Sequence, residues 1–185
     1  MKKSILDLRE NIKKFIVDAH IGNSYTMVEV AFSEGCMRFT EGLFEYLNAI
    51  KYNKANPLVF MGEEFIWNNK RLVFDLGYKG EILQPRIFSK YDINIESIFP
   101  FLTKVLGKKE KNMASQLRGP RILGDKAHIK ATDGSTLELE MDYMHLSEKT
   151  DIRNFKGREI IRFRGDSGLV TKIYEGEYSG VSFIE

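Results

Sequence analysis

The sequence predicts an α+β fold: two to three helices packed on short antiparallel strands, followed by a β-rich C-terminal section. Three observations carry that expectation. Hydrophobic residues make up 43% of the 185 residues, with thirteen Phe and eight Tyr, enough to fill a core and too many for a disordered chain. Apolar residues recur at helical spacing in the N-terminal third, and from Arg121 onward the pattern is almost entirely β. Gly119-Pro120 breaks the chain between these regimes, which divides it into an α+β half over 1–117 and a β-rich half over 118–185, either as separate units or within one compact domain.

Each element follows from local signals. Ser4-Ile5-Leu6-Asp7 is a capping-box-like start with Asp where Glu or Gln is usual. It opens a segment whose Ile5, Leu8, Ile12, Phe15, Ile16 and Ala19 share one helical face, with Gly22 as its stop. Residues 25–32 are rich in β-branched and aromatic types and read as a strand. A second helix is expected within 36–51, with Phe39, Leu43, Leu47 and Ile50 as its buried stripe. Pro57 interrupts that pattern, and 58–61, 64–67 and 71–76 read as short strands. A turn within 68–71 sets Phe65 opposite Phe74 and Trp67 opposite Leu72, an aromatic face that anchors packing. Residues 79–88 read as a further strand pair interrupted at Pro85, and Asp92 or Asn94 caps a helix running to Leu106 that Pro100 kinks or splits and Gly107 ends. A polar helix or ordered loop is expected over 108–117, and no internal repeat or low-complexity tract shows in the linear sequence.

Composition narrows the function classes. The single cysteine, Cys36, has no partner in the chain for a disulfide, and no Asn-X-Ser/Thr acceptor occurs. Met1-Lys2-Lys3 begins like a signal peptide, but Asp7, Arg9, Glu10, Lys13 and Lys14 interrupt any apolar core. No apolar run reaches the length that spans a membrane. A cytoplasmic protein without membrane contact is therefore expected.

Features that resemble chemistry have structural accounts. Glu138, Glu140 and Asp142 alternate with Leu137, Leu139 and Met141, so the three carboxylates share one strand face and could hold a divalent cation as nuclease sites do. A three-residue loop Thr132-Asp133-Gly134, with Gly in the left-handed position, instead sets Ile129 opposite Leu137 and Ala127 opposite Leu139 on one face. On the other face it sets His128 opposite Glu138 and Lys126 opposite Glu140, a charge-complementary ladder. A two-residue loop on Asp133-Gly134 would scramble both faces. Gly165-Asp166-Ser167-Gly168 resembles the nucleophile segment of trypsin-like serine proteases, with His20 and Asp92 in that family's chain order. Leu169-Val170 stands where that family continues with Gly-Pro, and His20 falls in an expected helix, so the segment reads as a hairpin loop. Cys36 paired with His20 or His145 has the types of a thiol–imidazole couple, but a lone Cys near the start of an amphipathic helix reads as a small core residue. The histidines have no metal-ligand spacing and no phosphate-cradling glycine motif occurs, so no catalytic residue, metal or cofactor is expected.

What remains is charge. The net charge of +2 is small, but its distribution is blocked. Lys104, Lys108, Lys109, Lys111, Arg118, Arg121, Lys126 and Lys130 form a basic segment against Glu110 and Asp125. The sign reverses over 133–151 and turns basic again with Arg153, Lys156, Arg158, Arg162 and Arg164. Clustered cations fit phosphate backbones. The sequence thus points to a non-enzymatic binding protein acting on nucleic acid or a nucleoprotein through a basic surface, with regulation or inhibition of a nucleic-acid enzyme as one role such a protein would have. Its expected contacts are Lys108, Lys109, Lys111, Arg118, Arg121 and Lys126. Two alternatives stand beside it. One is a metal-dependent nuclease using Glu138, Glu140 and Asp142. The other is a protein-binding inhibitor or immunity-type, counter-defence factor with no nucleic-acid contact.

Overall fold

A computed structural model of the chain describes residues 26–27, 35–99, 101–102, 122–130, 133–134, 136–149, 153–164 and 168–183; in 122–130 and 136–149 it is the backbone that is described. The helix expected near the N-terminus and the one expected over 108–117 lie outside these residues.

Alternation, not helical spacing, governs the chain from Gly35 to Ile82. The strands are β1 (Thr26–Met27), β2 (Gly35–Glu41), β3 (Phe44–Asn53), β4 (Asn56–Asn68) and β5 (Arg71–Ile82). The expected helix within 36–51 is therefore a β-hairpin. Its turn is Gly42-Leu43, closed by the pair Glu41 and Phe44, with Gly42 at φ +60° in the first central position that a type II′ turn reserves for glycine. Asn53 closes the next hairpin, its side-chain oxygen accepting from the backbone N–H of Ala55 and Asn56. Asn69 and Lys70 both adopt positive φ, the type I′ geometry that matches the twist of the flanking strands. Each short strand foreseen here is part of a longer one.

After β5 the chain forms helix α1 (Pro85–Lys90), opened by Pro at its first position, and a 3₁₀ turn (Ile95–Ser97) capped by Asn94, whose side chain accepts from Glu96 N–H. Four more strands complete the fold: β6 (Ile122–Lys130), β7 (Thr136–Lys149), β8 (Phe155–Arg164) and β9 (Val170–Ser182). The strands of the described residues all pair antiparallel in one nine-stranded sheet of order β1-β2-β3-β4-β5-β9-β8-β7-β6. The described residues form mostly this sheet with very little helix, which corrects the expectation of two to three helices packed on short strands. Burial over Phe44–Asn53 alternates, with Tyr46 and Asn48 buried between half-buried neighbours, a period of two that fits a strand and not the helix expected there. The sheet runs through residues on both sides of Gly119-Pro120.

Register reveals a symmetry that the linear sequence hides. The β5–β9 pairing centres on Tyr78 opposite Tyr178. About that point β2-β3-β4-β5 corresponds to β6-β7-β8-β9. Gly62 faces Tyr78 as Gly157 faces Tyr178, Phe60 faces Gly80 as Phe155 faces Gly180, and Ile66 faces Phe74 as Ile161 faces Tyr174. One step later both ladders slip at the same place, leaving Val73 and Ile173 as the extra residues of two equivalent bulges. Both extra residues are buried beside a buried aromatic, Phe74 and Tyr174. One strand further out, Tyr46 and Tyr143 occupy equivalent positions, as do Asn48 and His145.

Side chains on the inner face repeat the relation. Phe60 stacks on Tyr174 with centroids 6.1 Å apart, and Phe155 stacks on Phe74 at 5.6 Å. Phe60 and Phe155 each also approach the central tyrosine of their own repeat, both at 6.4 Å. The core accordingly forms two clusters. One gathers Phe60, Ile82, Ile161, Ile173 and Tyr174 under Phe88, Ile93, Ile98 and Phe101 of the helical segment. The other gathers Tyr46, Ile66, Val73, Phe74, Phe155 and Tyr178, and Tyr78 packs against both. Glu64 and Glu159 are equivalent as well and are both buried on this face. In the first repeat Glu64 pairs in register with buried Asn48, which accepts a 2.7 Å hydrogen bond from the Tyr78 hydroxyl.

Candidate functional site

Because the inner face is filled by aromatics, chemistry open to a ligand sits on the opposite, outer face. Two rungs of side chains cross it over β3, β4, β5, β9 and β8. The first is Ala49, Glu63, Gly77, Ser179 and Lys156; the second is Lys51, Met61, Lys79, Glu177 and Arg158. Together they line a cleft of about 760 Å³ astride the junction of the two repeats. Gly77 forms its floor: a methyl placed there meets nothing within 4 Å.

The charges in the cleft are mixed with a positive excess. Lys51, Lys79, Lys156 and Arg158 outweigh Glu63 and Glu177. Arg158 Nε lies 3.4 Å from Glu177 Oε1, and both side chains are more than half exposed. A pair so open to water is worth at most about 1 kcal/mol. At the head of the first rung, in register with Ala49, stands Cys36, buried to 1% exposure. Burial pushes its thiol pKa up, with the neighbouring Arg38 opposing.

Of the residues singled out from sequence, Lys108, Lys109, Lys111, Arg118 and Arg121 lie outside the described residues. Lys126 is on β6, opposite Glu140, as the three-residue loop requires. The rest of that register also holds, with Ile129 opposite Leu137, Ala127 opposite Leu139 and His128 opposite Glu138, and Gly134 has φ +85°. On its far side β7 meets β8, which sets Glu140 opposite Arg164 and Asp142 opposite Arg162. The acidic strand is thus flanked in register by basic positions on both sides, Lys126 and Arg164 around Glu140. Its side chains lie outside the description, and among the described residues no group of three His, Cys, Asp or Glu is placed to hold a metal. His20 and Ser167 also lie outside the described residues, and Asp92 occupies the turn that follows α1 with φ +53°.

The sequence marks Lys156 and Arg158 as part of a second basic block but does not single out Lys51 and Lys79. Their signal was period-two alternation within 44–53 and 71–82, obscured by the helical reading of the first segment and the short strands assumed for the second. Among the described residues no helix is long and apolar enough to cross a membrane. No family model, curated protein or solved structure matches this chain.

Proposed function

We propose that the protein is a non-enzymatic binding protein that holds phosphate groups of a nucleic acid or nucleoprotein across the outer face of its sheet. The observation that carries this reading is the convergence of Lys51, Lys79, Lys156 and Arg158, from three strands and both repeats, on one open cleft. Cations fixed on a rigid sheet meet a polyanion without first being ordered, and counterion release supplies the affinity. The basic segment over 104–130 leads directly into β6, so its cations extend the same charge character along the chain.

A second reading, a protein partner, draws support from Glu63 and Glu177, which share the cleft with the cations and would suit a partner of complementary mixed charge. Salt titration separates the two. Binding of labelled DNA and RNA oligonucleotides should weaken steeply between about 50 and 200 mM salt. Lys156→Glu with Arg158→Glu should cut affinity at least about tenfold and flatten the salt slope. Lys109→Glu tests the upstream segment in the same assay. Absence of binding at low salt would overturn the nucleic-acid reading, and a stoichiometric partner recovered by affinity purification after nuclease treatment would replace it.

A further inference from the structure

The two repeats keep one face alike and let the other diverge. At equivalent inner positions the same residue recurs: Phe60 and Phe155, Gly62 and Gly157, Glu64 and Glu159, Ile66 and Ile161. At the outer positions of the same two strands the chemistry splits. Met61 corresponds to Lys156, Glu63 to Arg158, Phe65 to Ile160 and Trp67 to Arg162. The outer side of β4 is therefore mainly apolar and aromatic, with the single acid Glu63, and that of β8 mainly cationic, with the single apolar residue Ile160. Phe65 and Trp67 are half-buried with ring centroids 5.6 Å apart, and further along the same strand face, beyond Glu63, Met61 is 48% exposed. β5 and β9 lie between this patch on β4 and the cations on β8, about 14 Å across the sheet at the usual strand spacing. Lys156 shares the rung of Glu63 and Arg158 that of Met61, so the diagonal span runs from about 16 Å (Phe65 to Lys156) to about 25 Å (Trp67 to Arg158) at the usual strand spacing and rise.

We infer that the nucleic acid is single-stranded, with unpaired bases resting on the Phe65–Trp67 patch of the first repeat and phosphates on Lys156 and Arg158 of the second. This rests on the phosphate-binding reading above. A duplex hides its base faces in its own stack and gains nothing from an aromatic platform, whereas a single strand offers base faces and backbone together. An aromatic patch and a pair of cations on one open sheet face supply both needs, across a span that a short oligonucleotide covers.

Trp67 is the only tryptophan, so its emission reports on this patch alone. The full chain is titrated at low salt with oligo-dT, oligo-rU and a mixed-sequence duplex of equal length. The expected result is quenching of Trp67 by the single strands and little by the duplex. By anisotropy of a labelled strand, Trp67→Ala should lose about tenfold in affinity and Trp67→Phe should recover most of it. Thermal melts of both variants guard against loss of fold. Equal binding of duplex and single strand with unchanged emission would overturn this inference while leaving phosphate binding intact. No binding of any oligonucleotide would overturn both.

Discussion

Cys36 shows how one residue's burial shapes behaviour on an otherwise exposed face. Its thiol is held protonated by desolvation, against the pull of Arg38. In the unfolded chain it ionises near the ordinary value of 9.0, so the folded state retains a proton that the unfolded state has lost. The sign follows: the stabilisation is complete below about pH 9 and disappears as pH rises through the raised value. Cys36→Ala should be less stable than the parent by about 1 kcal/mol at neutral pH. That gap should narrow at pH 10, as read from urea midpoints; a constant gap would show that the thiol does not titrate differently on folding. The sequence suggested burial for this cysteine, since a lone Cys near the start of an expected amphipathic helix is most often a small core residue, although the segment is a strand. It gave no sign of Arg38 as the opposing charge, because that pairing of effects depends on strand alternation.

At the scale of elements, turn chemistry decided which expectations survived. Gly134 at φ +85° placed Lys126 opposite Glu140 as foreseen, because one glycine in a left-handed position fixes both loop length and register. Gly42 carried a comparable signal in the segment read as a helix, but Phe39, Leu43, Leu47 and Ile50 happen to fall at helical spacing and outweighed it. The 68–71 turn was legible and Trp67 does oppose Leu72. The bulge at Val73 then shifts the register, so Phe65 opposes Asp75 and Ile66 opposes Phe74. No local signal marks such a bulge, since its benefit is burial of Val73 in a core assembled from distant strands. Glycines give this scale its test. A side chain at Gly62 would collide with the Tyr78 ring and the Ala49 carbonyl, and one at Gly157 with the Tyr178 ring. Gly62→Val and Gly157→Val should each cost about 2–3 kcal/mol in denaturant unfolding. Gly77→Val lies on a strand of the same sheet with open space above it, so it should be neutral or slightly stabilising. The same variant fills the cleft floor and should weaken oligonucleotide binding. Loss of stability comparable to Gly62→Val would show that position 77 is not the floor of an open cleft.

For the whole molecule, the repeat explains why so much of the architecture escaped a linear reading. Matching residues fall at every second position of a strand, separated by outer positions that differ, and the intervals between matched strands differ as well. A search along the chain meets Phe-Met-Gly-Glu-Glu-Phe-Ile at 60–66 and Phe-Lys-Gly-Arg-Glu-Ile-Ile at 155–161 as weak similarity; only register shows that the shared residues all face inward. Pseudo-symmetry also bears on the division suggested at Gly119-Pro120. Each core cluster draws on both sides of it: Phe60 and Ile82 pack with Ile161 and Tyr174, and Phe74 and Leu76 with Phe155 and Tyr178. The β5–β9 ladder joins the repeats from Phe74 opposite Ser182 to Ile82 opposite Tyr174, and Tyr78 contributes to both clusters. Separating the repeats would expose both cores at once, so the sheet should unfold as one cooperative unit. Phe60→Ala and Phe155→Ala remove equivalent rings from different clusters, and each should cost about 3–5 kcal/mol. Calorimetry should show one transition in the parent and in each variant, shifted down by a similar amount, with calorimetric and van't Hoff enthalpies equal. Two transitions, with each variant lowering only one of them, would mean that the repeats fold as independent units despite sharing a sheet.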